Sequence, residues 1–245
     1  MQSSQTKFRP GWAQTGFTLV EMLVVIAIIS ILMTAGSIGL SGMGGKGVTS
    51  GVATAESLFD EARTTAVGRN LRACVLVAKS LSNNPADDLR RMVVAYEETD
   101  PSTGQAKDPD NENPNWVLSS RGATLPDQTF FSEKFSKKGQ DAGSGSIDEM
   151  ADSRIVGVKD AFRGSYYIYE FNAQGICKNP GASFIIGSGT RNATQPASTA
   201  PPRVTASARR DFGGFVVWRN GRTSVFRSPD QMGDGVKSLS SGDTF

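Results

Sequence analysis

One carboxylate sits inside an otherwise apolar run. From Phe17 to Leu40 the chain reads FTLVEMLVVIAIISILMTAGSIGL, and Glu21 carries its only charge. About 20 apolar residues, rising about 1.5 Å each, span a hydrocarbon core. A carboxylate at that depth is costly unless it is neutralised, so Glu21 is a functional candidate on chemical grounds. The nearest candidate partner is an amino terminus made by processing. A cut after Gly16 would give Phe17 an α-amine four residues before Glu21, on the same helical face. In an assembly, the amine of one subunit could neutralise Glu21 of a neighbour. Other chemistry is scarce. Histidine is absent, which removes Ser-His-Asp and Cys-His catalysis and imidazole metal sites. Cys74 and Cys177 cannot make a zinc site alone. They either form one disulfide in an oxidising compartment or are two small buried hydrophobes. No nucleophile–base set is visible, so the chain is not expected to be an enzyme. No cofactor and no metal site is expected either.

The residues ahead of the apolar run narrow the reading. Lys7-Phe-Arg-Pro-Gly-Trp-Ala-Gln-Thr-Gly16 followed by Phe17-Thr-Leu-Val-Glu21 resembles a type IV prepilin or pseudopilin N-terminus. A Sec signal peptide fits poorly, because no small-x-small site closes a short apolar stretch. The resemblance implies a leader over 1–16, cleavage between Gly16 and Phe17 by a prepilin peptidase, and N-methylation of Phe17. It also implies that 17–41 serves first as a membrane anchor and then as a filament core packed against other pilin subunits, with Glu21 as the assembly residue.

Charge and composition agree with an anchored subunit. Of 245 residues, 229 would remain after the cut, enough for one anchor helix and one soluble domain. Loss of Lys7 and Arg9 would leave 24 basic and 24 acidic residues, so no global field draws the chain to polyanions. By the positive-inside rule these two cations hold the leader in the cytoplasm. The expected location is the inner membrane, single-pass, with the globular part periplasmic or extracellular after assembly.

Five glycines fall in the nine positions from Gly39 to Gly47, each costing a helix interior about 1 kcal/mol relative to alanine. A soft hinge is therefore expected over 42–51. An amphipathic helix is expected over 52–72, where Val52, Ala55, Phe59, Ala62 and Ala66 form one apolar stripe. The sequence Ala62-Arg63, Ala66, Arg69 and Val75-Leu-Val77 is similar to H-type minor pseudopilins of type II secretion and their FimT-like relatives.

From 73 to 245 the pattern is short β-rich runs, and the fold class expected is α+β: a long N-terminal helix packed on an antiparallel sheet. Strands are expected at 73–78, 92–97, 116–119, 129–131, 154–158, 165–171, 183–186, 214–219 and 223–227. Asn220-Gly221 between β-rich arms predicts a hairpin with a two-residue type I′ turn. That hairpin and the Phe171-Asn-Ala-Gln-Gly175 turn also resemble the H-type C-terminal region. Loops are expected at 99–115, 139–153 and 187–210. Asp108-Pro-Asp-Asn-Glu112 reads as a solvated acidic turn, since it lacks the glycine and distal glutamate of a calcium loop. Arg203, Arg209, Arg210, Arg219, Arg222 and Arg227 leave a nucleic-acid face as the alternative to a solvated mixed-charge surface. The interspersed Asp211, Asp230 and Asp234 favour the latter.

Overall fold

The computed structural model describes residues 19–41, 43–139, 145–206, 211–226, 231, 236 and 238–244. The expected leader and the expected cleavage residues Gly16 and Phe17 lie outside the described residues, as do Arg209, Arg210 and Arg227. The chain divides into two units, Met1–Gly42 and Met43–Phe245.

In the first unit, α1 (Leu19–Ser41) is a helix of 23 residues built from Leu, Ile, Val, Met and Ala without proline. Its described side chains run from Leu19 to Ser30. Among the described residues no helix is long and apolar enough to cross a membrane.

The second unit begins with α2 (Met43–Arg69). The hinge expected over 42–51 is helical from Met43 onward, and the reason is tertiary. Burial starts before the expected stripe, at Val48, which is buried with Val52. Glycine supplies closeness here. A Cβ on Gly51 would lie 2.8 Å from Ile186 Cδ1, and one on Gly213 would lie 2.8 Å from Val48 Cγ1. Helix and sheet approach through absent side chains, and that packing outweighs the propensity cost. The helix ends at Asn70 with φ +54°, as the Leu71 N–H bonds back to the Ala66 carbonyl.

The expected stripe is the core. Ala55, Phe59, Ala62 and Ala66 are fully buried. Phe59 meets Tyr169, Phe184 and Phe215 edge-on at 5.0, 5.6 and 4.9 Å between ring centroids.

Two antiparallel sheets take the remainder, where one was expected. The first contains β1 (Ala73–Leu81), β2 (Arg91–Glu97), β3 (Trp116–Leu118), β4 (Ala123–Thr124), β6 (Glu149–Ala151) and β7 (Gly164–Phe171), ordered β3-β2-β1-β7-β6 with β4 also on β2. The second is ordered β10-β9-β8-β5, from β5 (Thr129–Phe131), β8 (Ala182–Ser188), β9 (Phe212–Val217) and β10 (Thr223–Val225). Along β1, alternate side chains face different clusters. Ala73, Val75 and Val77 join the core around Phe59, while Cys74, Leu76 and Ala78 join Trp116, Tyr166 and Ile168.

That alternation decides the cysteines. Cys177 lies in the first cluster and Cys74 in the second, and both are buried and free. No disulfide joins them. Two further expectations need correction. Residues 154–158 form no strand: a single 3-10 turn, Asp152–Arg154, leads into Ile155, which makes one bridge to Trp116 and covers the outer cluster. The expected loop 139–153 contains β6, because Glu149–Ala151 pair with Ser165–Tyr167 of β7.

Candidate functional site

Glu21 lies in the first turn of α1. There the helix dipole and free N–H groups favour an anion. Around it the helix presents Leu19, Val20, Met22, Leu23, Val24, Val25, Ile26, Ile28 and Ile29, all exposed. A helix apolar all round requires apolar cover, from lipid or from other chains. This segment is the part of the molecule whose chemistry points outward.

The second unit holds α2 by a clasp that the sequence partly signalled. Arg63 Nε donates to the Asn220 carbonyl at 3.0 Å, and the Thr223 hydroxyl donates to Glu56 at 2.8 Å. Two glycine turns make room for the guanidinium stem. Gly175 has φ +73° and Gly221 φ +72°. A Cβ on Gly221 would stand 2.3 Å from the Gly175 carbonyl oxygen and 2.7 Å from Arg63 Cδ. The expected hairpin therefore exists with a different turn. Trp218 N–H bonds the Arg222 carbonyl and Gly221 N–H bonds the Trp218 carbonyl, which makes a three-residue loop. Among the described non-glycine residues only Asn70, Leu89 and Gln128 have positive φ. A type I′ turn needs positive φ at Asn220 as well, so a left-handed glycine closing a longer loop replaces it. Arg69 lies over the Tyr96 ring at 4.1 Å from its centroid, so both arginines of the Ala-Arg pattern act inside the domain.

Of the arginines expected as an alternative nucleic-acid face, the described ones do not converge. Arg203 bridges Thr190, beyond the Gly187–Phe212 end of the β8–β9 ladder, and Arg219 and Arg222 lie beyond its Ala182–Val217 end. The ladder alone separates them by about 16 Å. The acidic turn at 108–112 is tied down by Arg72, whose Nη1 donates to the Asn111 carbonyl at 2.7 Å.

The long loop 187–210 has an anchor that sequence reading missed. Arg191, with a side chain 1% exposed, donates to the carbonyls of Pro85 and Asp88 at 2.8 and 3.2 Å and approaches the Asp88 carboxylate at 3.7 Å. Asp88 in turn accepts the N–H groups of Leu81 and Ala197 at 2.7 and 2.9 Å. Burial pushes the Asp88 carboxyl up in spite of these donors, and burial lowers the Arg191 guanidinium. Partners 103 residues apart leave no local signal.

Comparison with known proteins bears on the first unit. No curated protein and no solved structure matches the chain. Residues 13–37, from Ala13 through the expected cleavage point and Glu21 to Ser37, match the prokaryotic N-terminal methylation motif, which is typical of type IV pilins and pseudopilins and implies processing by a prepilin peptidase.

Proposed function

We propose that this chain is a pilin-like structural subunit, a minor pseudopilin cut between Gly16 and Phe17, methylated on Phe17, and assembled with other pilin subunits into a type II secretion or type IV pilus-like filament. The observation that carries the reading is the coincidence of the methylation motif with a helix whose only acid, Glu21, sits in its first turn. Before assembly the 17–41 segment anchors the subunit once in the inner membrane, with the globular unit on the far side. In the filament the same apolar surface packs against neighbouring helices. Glu21 then lies one helical turn from the new α-amine of Phe17, close enough for a charge pair within or between subunits. The role is structural rather than enzymatic, and the chemistry is performed on the chain by the peptidase. The clasp of Arg63 between the two glycine turns supports the H-type (FimT-like) assignment, because it gives the Ala-Arg pattern and both turns one shared purpose.

Mass spectrometry of the membrane-extracted protein tests the processing, with a methylated Phe17 terminus expected. Glu21→Ala should be processed and membrane-bound yet absent from sheared filaments. Incorporation of that variant at the wild-type level would overturn the role given to Glu21.

A further inference from the structure

The globular unit has an open groove of about 690 Å³ lined by the acidic turn at 112–113, the turn at 172–178 and Arg219. We infer that it binds an extended peptide bearing a carboxylate. The groove lies wholly within the Met43–Phe245 unit, so the inference does not depend on the anchor segment.

The groove walls leave few charges unpaired. Lys178 is paired with Glu170 at 2.8 Å. Arg72 spends three of its five donors on both Glu97 oxygens and the Asn111 carbonyl, and its charge is paired with Glu97. Arg219 is exposed and makes no ion pair among the described residues. Asn172 also lines the groove, and its Oδ1 already accepts the N–H groups of Gln174 and Ile176 at 3.0 and 2.9 Å. Its amide therefore offers only its Nδ2 donors. A guanidinium fork and an amide donor in one groove suit a carboxylate and a peptide carbonyl.

The lining also presents an acceptor. Glu112 is exposed, also without an ion pair among the described residues, and can take a peptide N–H or a basic group. Ile176, 37% exposed, adds an apolar surface. Two carboxylates of the lining, Glu112 and Glu170, weigh against nucleic acid, because a polyphosphate laid along the groove would meet like charge. One unpaired cation together with amide donors, an acceptor and an apolar side chain suits a peptide bearing a single carboxylate.

The test uses the full chain in an uncharged detergent and fluorescence polarisation of a labelled, end-blocked hexapeptide of alanines carrying one glutamate. The expected result is saturable binding, weakened at least about tenfold when glutamine replaces glutamate in the peptide. Arg219→Glu should weaken it to a similar degree, and Arg222→Glu, three residues along and outside the groove lining, should leave it unchanged. Equal affinity for the glutamine peptide, or an unaffected Arg219→Glu, would overturn the inference. Displacement by free glutamate at the peptide's own concentration would reduce the site to a carboxylate pocket and overturn the peptide claim. Tighter binding of a labelled oligothymidylate would overturn it in favour of nucleic acid.

Discussion

Arg191→Met removes the cationic half of an enclosed ion pair while keeping most of the side-chain volume. In the wild type the guanidinium satisfies the Pro85, Asp88 and Gln195 carbonyls and stands 3.7 Å from Asp88 Oδ2, with both side chains at most 1% exposed. Removing one member of such a pair leaves an uncompensated buried charge, at a cost of about 3–5 kcal/mol. The two backbone donors to Asp88 persist, so the lower end, about 3 kcal/mol, is expected. The sign of the pH dependence follows from the carboxyl. The folded pKa of Asp88 is already above its unfolded value, and loss of Arg191 removes one of the influences holding it down. A raised carboxyl favours the protonated folded state, so the penalty is largest at neutral pH and shrinks as pH falls through the folded pKa. Urea unfolding of the full chain in detergent, followed by the fluorescence of buried Trp116, reads this directly. A loss below about 1 kcal/mol, or a penalty that does not shrink in acid, would refute the account of how loop 187–210 is anchored.

Gly221→Ala should cost about 2 kcal/mol, since it combines a left-handed backbone with a contact on the Gly175 carbonyl; a neutral urea midpoint would dismiss the clasp. Asp211 carries a buried Oδ2 with no hydrogen-bond partner among the described residues, and burial raises its pKa. Asp211→Asn should gain about 1 kcal/mol at pH 7, with the gain fading in acid as the wild-type carboxyl protonates. Burial raises the Cys177 thiol to about 11 and Cys74 well above its usual value. Intact-mass labelling with iodoacetamide at pH 8 should therefore add nothing to the folded chain and two groups after unfolding.

The contrast between the two units shows what each level of information decides. The methylation motif was readable because it is contiguous: Gly16, Phe17 and Glu21 fall within six residues, and an apolar run needs no tertiary context to be seen. The α2 stripe was readable for a similar reason, since Val52, Ala55, Phe59, Ala62 and Ala66 obey the helical period whatever they pack against. The hairpin's position was local too, but its turn type was not. Gly221 is set by the Gly175 carbonyl and Arg63, which arrive from other elements. The glycines after Gly42 read as a weak helix because propensity counts lost side chains as cost, while the fold uses the absence of those at Gly51 and Gly213 to seat α2 on its sheet. The cysteines were undecidable from spacing, because pairing depends on which face of β1 each serves, and the pleat puts Cys74 on the face away from Cys177. Asp88 and Arg191 had no signal at all. A buried ion pair is recognisable only when the chain that separates its partners has closed, here over 103 residues.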